Sequence, residues 1–273
     1  MKKMGYFILY IGLGLVALLQ IFPLVWLVIF SLKDTREIFS SPPFSLPQEL
    51  RWENYVRVLE GGIGTYFFNS VLYTAVAIIL TVLLASMATF AITRMRWKLS
   101  AFVLGLFMVG LMIPVHSALI PLFKMFVSVS LIDHPLSIIL TYTAYNLPIT
   151  MMILLGFYYT LPREVEEAAI IDGCSINQLF FRIILPMTVP VMVTTVIINM
   201  IYNWNEFVFA NTFISSDHYK TLTLGIQNFI GQYMTDWGAI GATLIISILP
   251  ILIAFLFFSN KIVEGLSASA VKG

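Results

Sequence analysis

The chain has 273 residues, 59% of them hydrophobic and 11% charged, with a formal net charge of +1 and a mean hydropathy of +0.93. Soluble domains carry about 25% charged residues, so a surface wholly in water is excluded, and so is bulk electrostatic attraction to nucleic acid. Cys174 stands alone, which excludes an internal disulfide.

The chain opens on Met1-Lys2-Lys3, followed by the uncharged run Phe7–Leu32. That run is too long for the apolar region of a signal peptide and ends without an Ala-x-Ala-type site, which predicts a retained first span with its N-terminus in the cytoplasm. A helix needs roughly 20 predominantly apolar residues to cross the hydrocarbon. Six segments qualify, at about 7–32, 66–93, 99–126, 135–159, 187–210 and 237–260. The predicted fold is therefore all-α and transmembrane, one domain over residues 1–273 set in a lipid bilayer. Between the first two spans, Lys33–Thr65 is polar and carries Pro42-Pro43 and Pro47, which predicts a segment on the outer surface. Gly61-Gly62-Ile63-Gly64 has no lysine at phosphate-loop spacing and no preceding strand, so it reads as a flexible joint. The cluster Arg94-x-Arg96-x-Lys98, in the turn after the second span, marks the cytoplasmic side. With Lys2, Lys3 and Lys272 it places both the N- and the C-terminus in the cytoplasm. Pro114, Pro121 and Pro148 predict kinks in the third and fourth spans.

Residues 160–186 form the longest cytoplasmic segment between spans and read as two short helices with a turn. Pro162 suits a first helical turn, where its missing N–H is not needed. Glu164, Glu166 and Glu167 put negative charge where the helix dipole favours it. Asp172-Gly173 ends that helix with a glycine cap, and Ser175-x-x-Gln178 is a capping box that opens the next. The second helix runs through Leu179, Phe180, Phe181 and Ile183 and is expected to stop at Pro186.

Glu167-Ala168-Ala169, three residues, Gly173, nine residues, Ile183, one residue, then Leu185-Pro186 resembles the EAA loop of binding-protein-dependent ABC importer permeases. Cys174 stands where that family usually has alanine. Asn54-Tyr55, Trp204-Asn205-Glu206-Phe207, Gly231-Gln232-Tyr233 and Glu264-Gly265-Leu266 with Ala270–Gly273 are similar to its carbohydrate branch, and to the smaller six-span permease of maltose-type sugar transporters. Ser269 replaces a glycine common in that last signature. The resemblance implies a six-helix type I importer permease in a bacterial or archaeal cytoplasmic membrane. It implies as partners a second homologous permease, two ATP-hydrolysing subunits and an extracytoplasmic solute-binding protein. It also implies that Glu167, Ala168, Ala169, Asp172 and Gly173 form the contact with the ATPase. No Gly-x4-Gly-Lys-Ser/Thr sequence occurs, so ATP and Mg are expected on the partners, with no cofactor on this chain.

Polar residues inside a span are costly and usually face an interior cavity. Asn199, Asn203 and Glu206 recur at helical spacing beside Tyr202, with Trp204 and Phe207 flanking. Amides, a carboxylate and aromatic rings suit a sugar, whose hydroxyls need paired donors and acceptors and whose C–H faces stack. Packing of this stripe against other helices is the alternative. Tyr142, Tyr145 and Asn146 precede Pro148 and line the same pathway or serve polar packing. His116 reads as structural and Lys124 as snorkelling. No catalytic set and no metal site can be assembled from these residues. The rival function is an ion-coupled secondary transporter working alone, which should show more buried carboxylates than Glu206. A glycerol phosphate or a polyol is the alternative solute.

Overall fold

The computed structural model describes residues 2–95, 97–231 and 235–270. Arg96, Gln232, Tyr233 and residues 271–273, which carry part of the orientation argument and of the family resemblance, lie outside the described residues. The described backbone is helical, without a strand; an isolated bridge pairs Ile230 with Thr235. In chain order the helices are α1 (Lys2–Ser31), α2 (Thr35–Ser40), α3 (Glu53–Glu60), α4 (Ile63–Arg94), α5 (Ser100–Met112), α6 (Leu119–Ser128) and α7 (Pro135–Tyr158). They continue with α8 (Arg163–Ile171), α9 (Ile176–Gln178), α10 (Leu185–Met187), α11 (Val189–Asn205), α12 (Val208–Phe213), α13 (Leu222–Gly225) and α14 (Trp237–Ala270).

Among the described residues, four unbroken helices are long and apolar enough to cross a membrane: Gly5–Ser31, Ile63–Arg94, Pro135–Tyr158 and Trp237–Phe257. Two further apolar stretches are bent pairs, so the total reaches six when each pair is counted as one span. The stretch expected as a third span bends by 99° between α5 and α6. Its cause is local: Ile113 precedes Pro114 and is driven out of the helical region, to φ −79° and ψ 122°. Pro121 then falls in the first turn of α6, where its missing N–H costs nothing. The stretch expected over 187–210 also differs. It is bent by 72° at Thr188, before α11, and α11 ends at Asn205 because Glu206 is extended, with φ −69° and ψ 131°. The second short helix expected within residues 160–186, in turn, does not stop at Pro186. A π-helical turn over Leu179–Ile184 joins α9 to α10, with the Leu185 N–H bonded to the Phe180 carbonyl. That wider turn relieves the clash a proline ring otherwise makes with the carbonyl four residues back.

The chain divides into two compact units. The first comprises Met1–Phe67 with Leu224–Pro250. Here Asn54, on α3 and 1% exposed, donates through Nδ2 to the Ser31 and Lys33 carbonyls at 2.8 and 2.9 Å. Those carbonyls belong to the frayed end of α1, where helical partners are missing. Arg57 bonds the Asn54 Oδ1 and pairs with Asp236 at 2.7 Å, just ahead of α14. Gly238 and Gly241 let α14 lie directly on this arrangement: a Cβ on Gly238 would sit 2.5 Å from the Asn54 amide nitrogen.

The second unit comprises Phe68–Thr223 with Ile251–Gly273. Its apolar core runs from Ala85 and Phe90 on α4 through Met151, Leu154 and Tyr158 on α7 to Ala169 on α8 and Leu179, Phe180 and Ile184 beyond it. The short helices between α7 and α11 are thus part of one core with two of the long ones.

Candidate functional site

The helix pair within residues 160–186 is shaped by caps at its turn. Pro162 is the N-cap of α8 rather than its first-turn residue, with φ −65° and ψ 129°. At the other end Gly173 has φ +83°, a conformation that costs residues with a Cβ about 1–2 kcal/mol. The Gly173 N–H bonds the Ile170 carbonyl and the Cys174 N–H the Ala169 carbonyl, each at 3.0 Å. These two bonds are the Schellman pattern. Two residues on, the Ser175 side chain accepts from the Gln178 N–H and the Gln178 side chain accepts from the Ser175 N–H, completing the capping box.

The two faces of α8 differ. Glu167, Ala168, Ile170, Ile171 and Asp172 are exposed, Ile171 at 85%. Ala169 is buried in the core, so its side chain does not share the outward face expected for the whole Glu167–Gly173 set. Glu166 also points inward, where its Oε1 meets the Arg94 Nε at 2.7 Å. Burial raises the Glu166 carboxyl above the usual range, against the lowering effect of Arg94 and Arg163 beside it.

A second feature lies where α5 and α11 break. The polar stripe of α11 packs against α7 rung by rung. Asn199 donates to the Thr150 hydroxyl at 3.0 Å. Asn203 accepts from the Tyr145 hydroxyl at 2.9 Å and from the Asn146 amide at 2.7 Å. Glu206 accepts from the Tyr142 hydroxyl at 3.2 Å, and its carboxylate also caps the Phe209 and Ala210 N–H groups at 2.7 and 3.1 Å. Asn199 and the Oδ1 of Asn203 therefore tie α11 to α7. On the other side of this ladder is a cavity of about 580 Å³, lined by Tyr145, Asn146, Tyr202 and Glu206 together with His116, Asn205, Phe207 and Phe209.

The family comparison follows the same stretch of chain. The family described as binding-protein-dependent transport system inner membrane component matches residues 82–265. The chain belongs to this family. The permease is 37% identical to the probable ABC transporter permease protein YurM of Bacillus subtilis (strain 168), over 92% of this chain and 84% of that one. It is 33% identical to the trehalose/maltose transport system permease protein MalG of Thermococcus litoralis, over 97% and 96% of the two chains. Its fold is similar to that of a chain in the crystal structure of a bacterial ABC transporter involved in the import of the acidic polysaccharide alginate. That pair has a TM-score of 0.79 at 18% identity, covering 95% and 96% of the chains. Membership makes the permease a multi-pass membrane component of a partnered transport complex, and not an enzyme in its own right.

Four of the six residues predicted for the permease's pathway meet at the cavity, and Asn199 and Asn203 stand behind it. Sequence patterning misses His116, whose ring centroid is 5.5 Å from that of Phe209. It misses Asn205 as well. Pro114 holds the signal for His116: a sharp bend two residues earlier turns a mid-span histidine into a wall of the cavity.

Proposed function

We propose that this chain is the permease subunit of an ATP-driven, binding-protein-dependent importer of a sugar or oligosaccharide. In this reading it crosses the membrane six times, with both termini in the cytoplasm. A second homologous permease, two ATP-hydrolysing subunits that hold ATP and Mg, and an extracytoplasmic binding protein complete the complex. The observation that carries the reading is the capped, outward-facing surface of α8. Its backbone is fixed by the Gly173 cap, and its exposed Glu167, Ala168, Ile170 and Asp172 offer a partner a rigid face. ATP binding draws the ATPases together, and the docked helix passes that motion to the spans, which alternate between inward- and outward-facing states. The names of the relatives, trehalose/maltose among them, and the mixed polar and aromatic lining of the cavity support a sugar as cargo.

Vesicles carrying the full complex are expected to take up radiolabelled maltose or trehalose only with ATP and the binding protein present. Uptake by this chain alone on an ion gradient would overturn the proposal. Orientation is tested separately. A cysteine at the exposed position Gln48 should react with an impermeant maleimide in intact cells, and labelling confined to permeabilised cells would reverse the topology.

A further inference from the structure

A docking helix transmits force only if it is joined to the spans it must move. Covalently, α8 is continuous with α7 on one side and with α9 to α11 on the other; α4 reaches it only through side chains. Among these the polar tie is Arg94, the last residue of α4. Its Nε lies 2.7 Å from the Glu166 carboxylate on α8, with the two side chains 6% and 11% exposed. Its Nη2 donates to the carbonyl of Tyr158, the last residue of α7, at 2.9 Å and approaches the Leu161 carbonyl at 3.5 Å. One guanidinium therefore joins the ends of two long helices and the docking helix at a single point.

The geometry points to Arg94 as the residue that positions the docking helix on both long helices, so that its movement is delivered to the pathway and not lost in the loop. This rests on the importer reading above. A planar fork of donors is suited to such a joint: its Nη2 bonds the two carbonyls while its charge pairs with the carboxylate, and a lysine ammonium on a flexible stem offers no such fork. Both side chains are nearly buried, so losing one partner leaves the other charge largely desolvated and unpaired. Phe90, one turn earlier on α4, packs on Phe180 with ring centroids 5.1 Å apart, an apolar contact beside the joint. Glu166 lies on the inward side of α8, so its contribution is separable by mutation from that of the exposed docking residues.

The test uses the whole complex in vesicles and reads three quantities: ATPase retained, ATP hydrolysed, and sugar taken up per ATP. The probe is whichever of radiolabelled maltose and trehalose the wild-type complex carries. Arg94→Ala is expected to retain the ATPase and to hydrolyse ATP while uptake per ATP falls roughly tenfold, a typical coupling energy between sites. Arg94→Lys should lie between it and wild type. Glu166→Gln keeps the shape and an acceptor for the guanidinium, and should lower the ratio less than Arg94→Ala. If Arg94→Ala does not fold, Arg94→Lys and Glu166→Gln decide the matter. A wild-type ratio in the folded variants overturns the inference, as does loss of the ATPase from a folded Arg94 variant, which would make this a docking residue. Absence of ATP-dependent uptake in the wild-type complex would instead strike the importer reading.

Discussion

Glu167→Lys should strip the ATPase from the purified complex and abolish uptake, while the permease itself accumulates in the membrane at normal levels. Glu167 is exposed on the outward face of α8. Reversing its charge at an interface costs several kcal/mol where like charges are brought together; within the chain it acts on the neighbouring Glu166 carboxyl, which burial and Glu167 push up. Gly173→Val should act on the same interface by another route. Gly173 has a φ of +83°, and nothing lies within 4 Å of an added Cβ. The penalty is in the backbone, about 1–2 kcal/mol for a Cβ in the left-handed region, raised further by the χ1 restriction of a β-branched residue. The turn relaxes by re-aiming α8 against α9. Gly173→Asn, which tolerates this conformation, should be close to wild type. Co-purification of the ATPase and uptake in the same preparations check all three. Normal values for Glu167→Lys and Gly173→Val would reduce residues 160–186 to a connector.

Gly238→Val should have the largest effect on folding. A Cβ at this position would lie 2.5 Å from the Asn54 amide nitrogen and 2.7 Å from the Lys33 carbonyl oxygen, and neither can withdraw freely. Overpacking costs about 1–3 kcal/mol. Expelling Asn54 leaves the Ser31 and Lys33 carbonyls without their donor, at about 1–3 kcal/mol for each buried group left unpaired. The detergent-solubilised variant should melt well below wild type and be cut rapidly by protease within residues 33–60. Gly64→Ala, where nothing lies within 4 Å of the added carbon, is the matched control and should melt like wild type. Equal melting of Gly238→Val and wild type would show that Asn54 does not hold this unit together.

Much of this protein is legible without its fold. Crossing a bilayer is a matter of consecutive apolar residues, so hydropathy along the chain locates the long helices. The close of α8 is legible for a similar reason. Gly173 and the Ser175/Gln178 box act on backbone groups within a few residues, so spacing alone determines them. Tertiary structure decided what the polar side chains face. Asn199, Asn203 and Glu206 share a stripe whichever neighbour they meet, and only the packing of α11 on α7 turns two of them into helix ties and leaves Glu206 on a cavity wall. The 99° bend at Pro114 reads in the sequence only as a kink, because a proline specifies that a helix is interrupted, not the direction in which the chain leaves. Ala169 faces inward although it reads as part of an outward motif, since a helix of nine residues has two faces and the core chooses between them. The Arg94–Glu166 pair has no signature at all. Two charges far apart in sequence are drawn together only when α4, α7 and α8 converge.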